Sequence, residues 1–92
     1  MYVLISYDIV DDKRRLKVMK FLKDFGKRVQ LSVFECHLTE EQLAAVRSGM
    51  RDLINHRKDR VRYWPICRAC AARVEVDGWG EVQEEEESFA IV

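Results

Sequence analysis

Three carboxylates stand near the start of the chain, Asp8, Asp11 and Asp12 in the segment YVLISYDIVDDKRR. A hard cation such as Mg2+ is held by one or two carboxylates, keeps several waters and takes further oxygens from phosphate. Asp8, at the exit of an apolar run, suits that role, and one per chain is enough if two chains meet at a two-fold axis. Two carboxylates brought so close repel unless they share a proton or a cation. The plainer alternative is that Asp8 caps the turn into the following helix. Asp11 and Asp12 fall where acids fasten a helix start, accepting from orphan N–H groups and opposing the positive end of the dipole. Placed beside Asp8 as ligands, they would instead make a two-metal hydrolytic site.

Directly after these acids comes a basic series, Lys13, Arg14, Arg15, Lys17, Lys20, Lys23, Lys27 and Arg28. A charged helix face is ordinarily only solvated. Here the base, Tyr7 and Asp8 converge near one strand exit, and phosphate contacts are what such a patch supplies. Cys67 and Cys70 form a CxxC in CRAC. Zinc would need four ligands, and Cys36, His37 and His56 lack a recognised paired spacing. A redox CxxC belongs at a helix start after a strand in a βαβ unit, which this region does not resemble, so buried or incidental thiols are expected. Neither histidine has a serine or cysteine at a spacing that suggests nucleophilic catalysis.

The elements that must position these groups are legible in the periodicity. YVLISYDI (2–9) is nearly continuously apolar, as in a strand buried on both faces. Alternation puts Val3, Ile5, Tyr7 and Ile9 on one side and Tyr2, Leu4, Ser6 and Asp8 on the other. Val18, Phe21, Leu22 and Phe25 make one stripe of an amphipathic helix, widened by Leu16 and Met19, with Gly26 as its stop. RVQLSVFECHL (28–38) reads as strand, broken near Ser32 into two pieces. Thr39 and Gln42 are spaced as a capping box opening a second helix with stripe Leu43, Val46, Met50, Leu53 and Ile54. Gly49 inside it costs about 1 kcal/mol against Ala. DRVRYWPIC (59–67) is a strand in which Pro65 suggests an edge or an end. ARVEV (72–76) reads as a further strand, and SFAIV (88–92) as a short apolar end that could add one more. The order β, α, β, β, α, β, β predicts an α+β ferredoxin-like sandwich, two helices on one face of a mostly antiparallel sheet with an extra C-terminal strand. Its other face would be open, and a second copy of the chain is the simplest cover.

Ninety-two residues make one small domain, residues 1–78, followed by an acidic tail, 79–92. No run approaches the roughly 20 apolar residues that span a bilayer. Without a basic leader or cleavage site the chain is expected in the cytoplasm, where structural disulfides are unusual. The formal charge of +0 hides a division: all 16 Lys and Arg lie at or before Arg73 among nine acids, and seven acids follow. The chain up to Arg73 is thus +7 and the stretch beyond it −7. A basic body of this size is an electrostatic footprint for nucleic acid.

Taken together, YDI-DD-KR-R, the first helix and RVQ-SVFE, with RVRYWPI and RVEV later, resemble the CRISPR-associated protein 2 family, the small subunit of the spacer-acquisition machinery. The resemblance implies a ferredoxin-like homodimer with strands exchanged near the C-terminus, the tail's final strand being exchanged with or packed on the partner. It further implies that Asp8 of each chain meets the other around a shared Mg2+. Members of the family are described as metal-dependent endonucleases on single-stranded RNA or double-stranded DNA. They also bridge copies of the CRISPR integrase subunit and hold protospacer DNA. By motif position, Tyr7, Arg15, Arg28 and Phe34 would support Asp8. Lys17 replaces a second basic residue of some relatives, keeping the charge but not the guanidinium fork. The competing reading under the same resemblance is a non-catalytic dimeric DNA-binding scaffold that bridges integrase dimers.

Overall fold

The computed structural model describes residues 1–78. In chain order the elements are β1 (Tyr2–Asp8), α1 (Asp12–Leu22), β2 (Gly26–Gln30), β3 (Val33–His37), α2 (Glu40–Leu53), β4 (Arg60–Ile66) and the single turn α3 (Arg68–Ala71). The four strands form one antiparallel sheet in the order β2-β3-β1-β4. Each long helix therefore carries the chain across an intervening strand, α1 from β1 over β3 to β2 and α2 from β3 over β1 to β4. That pair of split βαβ units is the ferredoxin-like arrangement.

One side of the sheet holds the core. Val3, Ile5, Tyr7 and Ile9 of β1 and its exit, with Phe34 and Cys36 of β3, are buried against Val18 and Leu22 of α1 and Leu43, Val46 and Met50 of α2. The expectation that β1 is buried on both faces is corrected: Leu4 and Ser6 are half-buried and Asp8 is exposed, because α1 and α2 both pack on the other side. Tyr2 is the exception there, buried through a 2.9 Å hydrogen bond from its hydroxyl to Glu35 and an edge-on contact with His37.

The helix ends follow local chemistry. Asp11 caps α1 by accepting from the Arg14 N–H, and Thr39 with Gln42 closes the capping box on α2. Gly49 lies where an added Cβ would strike the Phe21 ring, so its missing side chain lets α1 and α2 approach. Gly26 is not the stop of α1. The helix ends at Leu22, and Gly26 is the first residue of β2, seated where a Cβ would meet the Glu35 carbonyl and the Cys36 thiol.

The strand expected over 72–76 is absent among the described residues; α3 and an irregular segment take its place. β-branched residues favour a strand only where a neighbour offers a hydrogen-bonding edge, and none of the described strands pairs with this segment. The acidic tail and its SFAIV end lie outside the described residues. Among the described residues no helix is long and apolar enough to cross a membrane.

Candidate functional site

Strand parity divides the exit of β1 between two faces. Tyr7 turns inward and is buried, while Asp8 turns to the side away from α1 and α2 and is exposed. Asp8 faces Arg60 across the β1–β4 ladder, and among the described residues it enters no ion pair. The same outer face carries Leu4, half-buried, and Trp64, 47% exposed. Trp64 is flanked by the Arg62 guanidinium at 5.7 Å from its ring centroid.

On the inner side of the same strand end, Tyr7, Arg15 and Arg28 come together around a shallow pocket of about 200 Å3, completed by Asp12, Leu16 and Met19. A bulge in β2 between Arg28 and Gln30 bends that edge beside the pocket. Burial raises the Tyr7 hydroxyl above the ordinary tyrosine range, with Arg28 and then Arg15 drawing it partly back. At neutral pH it is therefore a neutral O–H donor, directed weakly at the Leu31 carbonyl, 3.4 Å away. Phe34 is fully buried behind Tyr7, ring centroids 6.3 Å apart, so its place is to support that ring. Lys17 is exposed on α1 and is not among the pocket residues.

Arg15 is largely committed within the chain. Its Nε and Nη2 donate to the Ile9 carbonyl at 3.2 and 2.9 Å, and Nη2 also reaches the Val10 carbonyl at 3.3 Å. Its Nη1 pairs with Asp12 at 2.6 Å. Of five guanidinium N–H groups, one on Nη1 is left for a ligand. Arg28, exposed and unpaired among the described residues, is the more available cation.

A residue that sequence reasoning missed anchors this region. The Asp59 side chain is 0% exposed. Oδ1 accepts from the Val10 N–H at 3.0 Å and from Arg14 Nη2 at 3.2 Å, and Oδ2 from Arg14 Nε and the Asn55 N–H, both at 2.8 Å. These donors, led by Arg14, hold the Asp59 carboxyl well below the usual range. One carboxylate thus ties the turn after Asp8 to α1 and to the loop before β4. The only local signal was an acid directly before a strand.

Asp11 and Asp12 do what a helix start asks of them, and neither forms a cluster with Asp8. Among the described residues no group of three or more His, Cys, Asp or Glu converges. Asp8 is a hard oxygen donor open to solvent, which suits a cation that keeps water in its shell. The cysteines depart from expectation: Cys67 and Cys70 are exposed, and Cys67 is the N-cap of α3 immediately after β4.

Comparison with known proteins agrees with this geometry. The family model described as CRISPR associated protein Cas2 matches residues 1–74. A Thermus thermophilus protein named CRISPR-associated endonuclease Cas2 2 is 45% identical over 80 residues, 87% of this chain and 84% of its own length. A Chloroflexus aurantiacus protein named CRISPR-associated endoribonuclease Cas2 1 is 39% identical over 93 residues, covering 100% of both chains. The crystal structure of Streptococcus pyogenes Cas2 at pH 6.5 superposes with a TM-score of 0.76 at 32% identity, over 85% of this chain and 100% of that one. With the motif order, the sheet topology and these similarities in agreement, the chain belongs to the Cas2 family of CRISPR-associated proteins.

Proposed function

We propose that this chain is a Mg2+-dependent endonuclease of CRISPR adaptive immunity that works in the cytoplasm as a homodimer, hydrolysing phosphodiester bonds in single-stranded RNA or double-stranded DNA. The observation that carries the reading is Asp8, an exposed carboxylate at the end of the sheet face turned away from α1 and α2. A two-fold axis through that face would bury Leu4 and Trp64 and bring the two Asp8 carboxylates toward one cation. Mg2+ held there would polarise a phosphate and favour hydroxide over water. Tyr7, a neutral donor, and the Arg28 cation lie on the other side of the strand from Asp8 and would contact the nucleic acid rather than the metal. Arg15 keeps the β1–α1 turn in place. The endonuclease and endoribonuclease names of the relatives support the same activity.

A second reading has its own support. Because most Arg15 donors already serve the chain, and the body to Arg73 is +7, a dimer that only grips DNA and docks the CRISPR integrase subunit during spacer acquisition needs no chemistry at Asp8. The two part in one comparison of wild type with Asp8→Asn on labelled RNA and duplex DNA, with Mg2+ and with chelator. Cleavage by wild type alone, and only with metal, sustains the enzyme. Pure wild type that never cleaves, yet binds DNA and integrase, leaves the scaffold. In either case the solution mass should be twice 10.9 kDa, and a monomer removes the shared-metal arrangement.

A further inference from the structure

CRAC lies where a strand runs into a single helical turn, with no further strand after it among the described residues. β4 ends at Ile66, Cys67 is the N-cap of α3 with φ −65° and ψ 161°, and Cys70 lies one turn on. The turn is already closed, since the Ala71 N–H donates to the Cys67 carbonyl at 2.9 Å. Residues three apart on a helix hold their Cβ atoms about 5–6 Å apart, so closing a disulfide, whose Cβ atoms lie about 3.5–4.5 Å apart, draws the backbone of this single turn in by about 1–2 Å. Both thiols are exposed. Cys36 is different in kind: it is buried in the core and its thiol is pushed up to about 12, chiefly by burial.

The two exposed thiols are also unlike each other. The neighbouring Cys70 draws the Cys67 thiol below its ordinary range, while Cys67 raises that of Cys70. A metal site is the poorer reading. Tetrahedral thiophilic ions want four ligands, and among the described residues no third His, Cys, Asp or Glu joins the pair.

We propose that Cys67 and Cys70 form a reversible dithiol–disulfide pair, oxidised by low-molecular-weight disulfides, with Cys67 as attacking thiolate and Cys70 as resolving thiol. The Cys67 thiolate forms a bond to one sulfur of the oxidant RSSR, whose S–S bond breaks and releases RS−. Cys70, losing its proton to solvent, attacks the Cys67 sulfur and expels the second RS−. Both leaving thiolates take up protons, so two thiols and RSSR give one protein disulfide and two RSH. The ring closes at the junction between the β4 edge and the segment leading to the acidic tail. A disulfide in a cytoplasmic chain is of this transient kind.

The test uses the full chain and oxidised glutathione, read by intact mass, peptide mapping and circular dichroism. Wild type should become lighter by two hydrogens, with the bond mapped to Cys67–Cys70, Cys36 still free and the change reversed by dithiothreitol. Cys70→Ser should stop at one glutathione on Cys67, and Cys67→Ser should react roughly tenfold more slowly. A persistent glutathione adduct on wild type overturns the proposal. So does a bond to Cys36 or between copies, equal rates for the two serine variants, or a stoichiometric zinc that survives desalting and blocks the reaction.

Discussion

Replacing Asp59 by alanine tests whether the turn beyond Asp8 is held as the hydrogen bonds indicate. The substitution removes four acceptor contacts at once. Their losses are unequal. Val10 is exposed, so its N–H regains water. The Asn55 N–H is half-buried and left without its acceptor, at about 1–3 kcal/mol. Arg14, 26% exposed, recovers part of its hydration but loses a bidentate partner. The total is about 2–4 kcal/mol, below that for breaking a fully buried pair. For a domain of this size it lowers Tm by roughly 10–25 °C. Urea unfolding at fixed protein concentration should show a lower midpoint with an unchanged slope. Arg14→Met combined with Asp59→Ala should cost less than the sum of the two single changes. A loss under about 1 kcal/mol would mean that the turn is held by other contacts.

The same residue fixes a pH dependence. Its carboxyl is depressed in the folded chain, so its stabilisation is fully present above the unfolded carboxylate value, about 4, and is lost as pH falls below it toward the folded value. The stability gap between wild type and Asp59→Ala should therefore stay flat between about pH 5 and 8 and narrow in acid. A gap that widens in acid reverses the sign and refutes the assignment.

Two further substitutions probe the fold around the site. Gly49→Ala should destabilise by roughly 1–3 kcal/mol despite alanine's better helix propensity, because its Cβ strikes the Phe21 ring; Phe21→Leu in the same chain should restore part of the loss in a thermal melt. Arg15→Lys should lower stability by about 1 kcal/mol, since one ammonium cannot serve the Ile9 and Val10 carbonyls and Asp12 together. Stability equal to wild type in urea unfolding would show those contacts to be dispensable.

What could be read from sequence was what is local. Alternation through YVLISYDI put Tyr7 and Asp8 on opposite faces, and the structure keeps them there. Thr39 and Gln42, three residues apart, specify a cap that depends on nothing farther away. The break near Ser32 appears as the turn between β2 and β3. The misses involve partners distant in the chain. Gly26 has the composition of a helix stop, but its role is set by the backbone and thiol of β3 pressed against it. ARVEV has strand-forming residues and no described edge to pair with. Asp59 was invisible because the groups it accepts from lie 45 and 49 positions away as well as at Asn55.

The segment IVDDKRR is best understood as a turn several of whose backbone polar groups take side-chain partners. The Ile9 and Val10 carbonyls take Arg15, the Val10 N–H takes Asp59, and the Arg14 N–H takes Asp11. Backbone groups outside a ladder must find such partners or water, and side-chain partners fix direction where water would not. The charges that look like a phosphate-binding cluster in sequence are thus largely engaged: Arg14 by Asp59, and Arg15 by two carbonyls and Asp12. On the proposed shared-metal arrangement a rigid exit would serve Asp8, since a ligand shared across a dimer axis must be held to within about 0.5 Å to meet its counterpart. Under the same proposal, binding of nucleic acid would fall to Arg28 and the lysines along α1, which the turn leaves unengaged. Neutralising Arg15 should act first on stability, and neutralising Arg28 first on the salt dependence of binding.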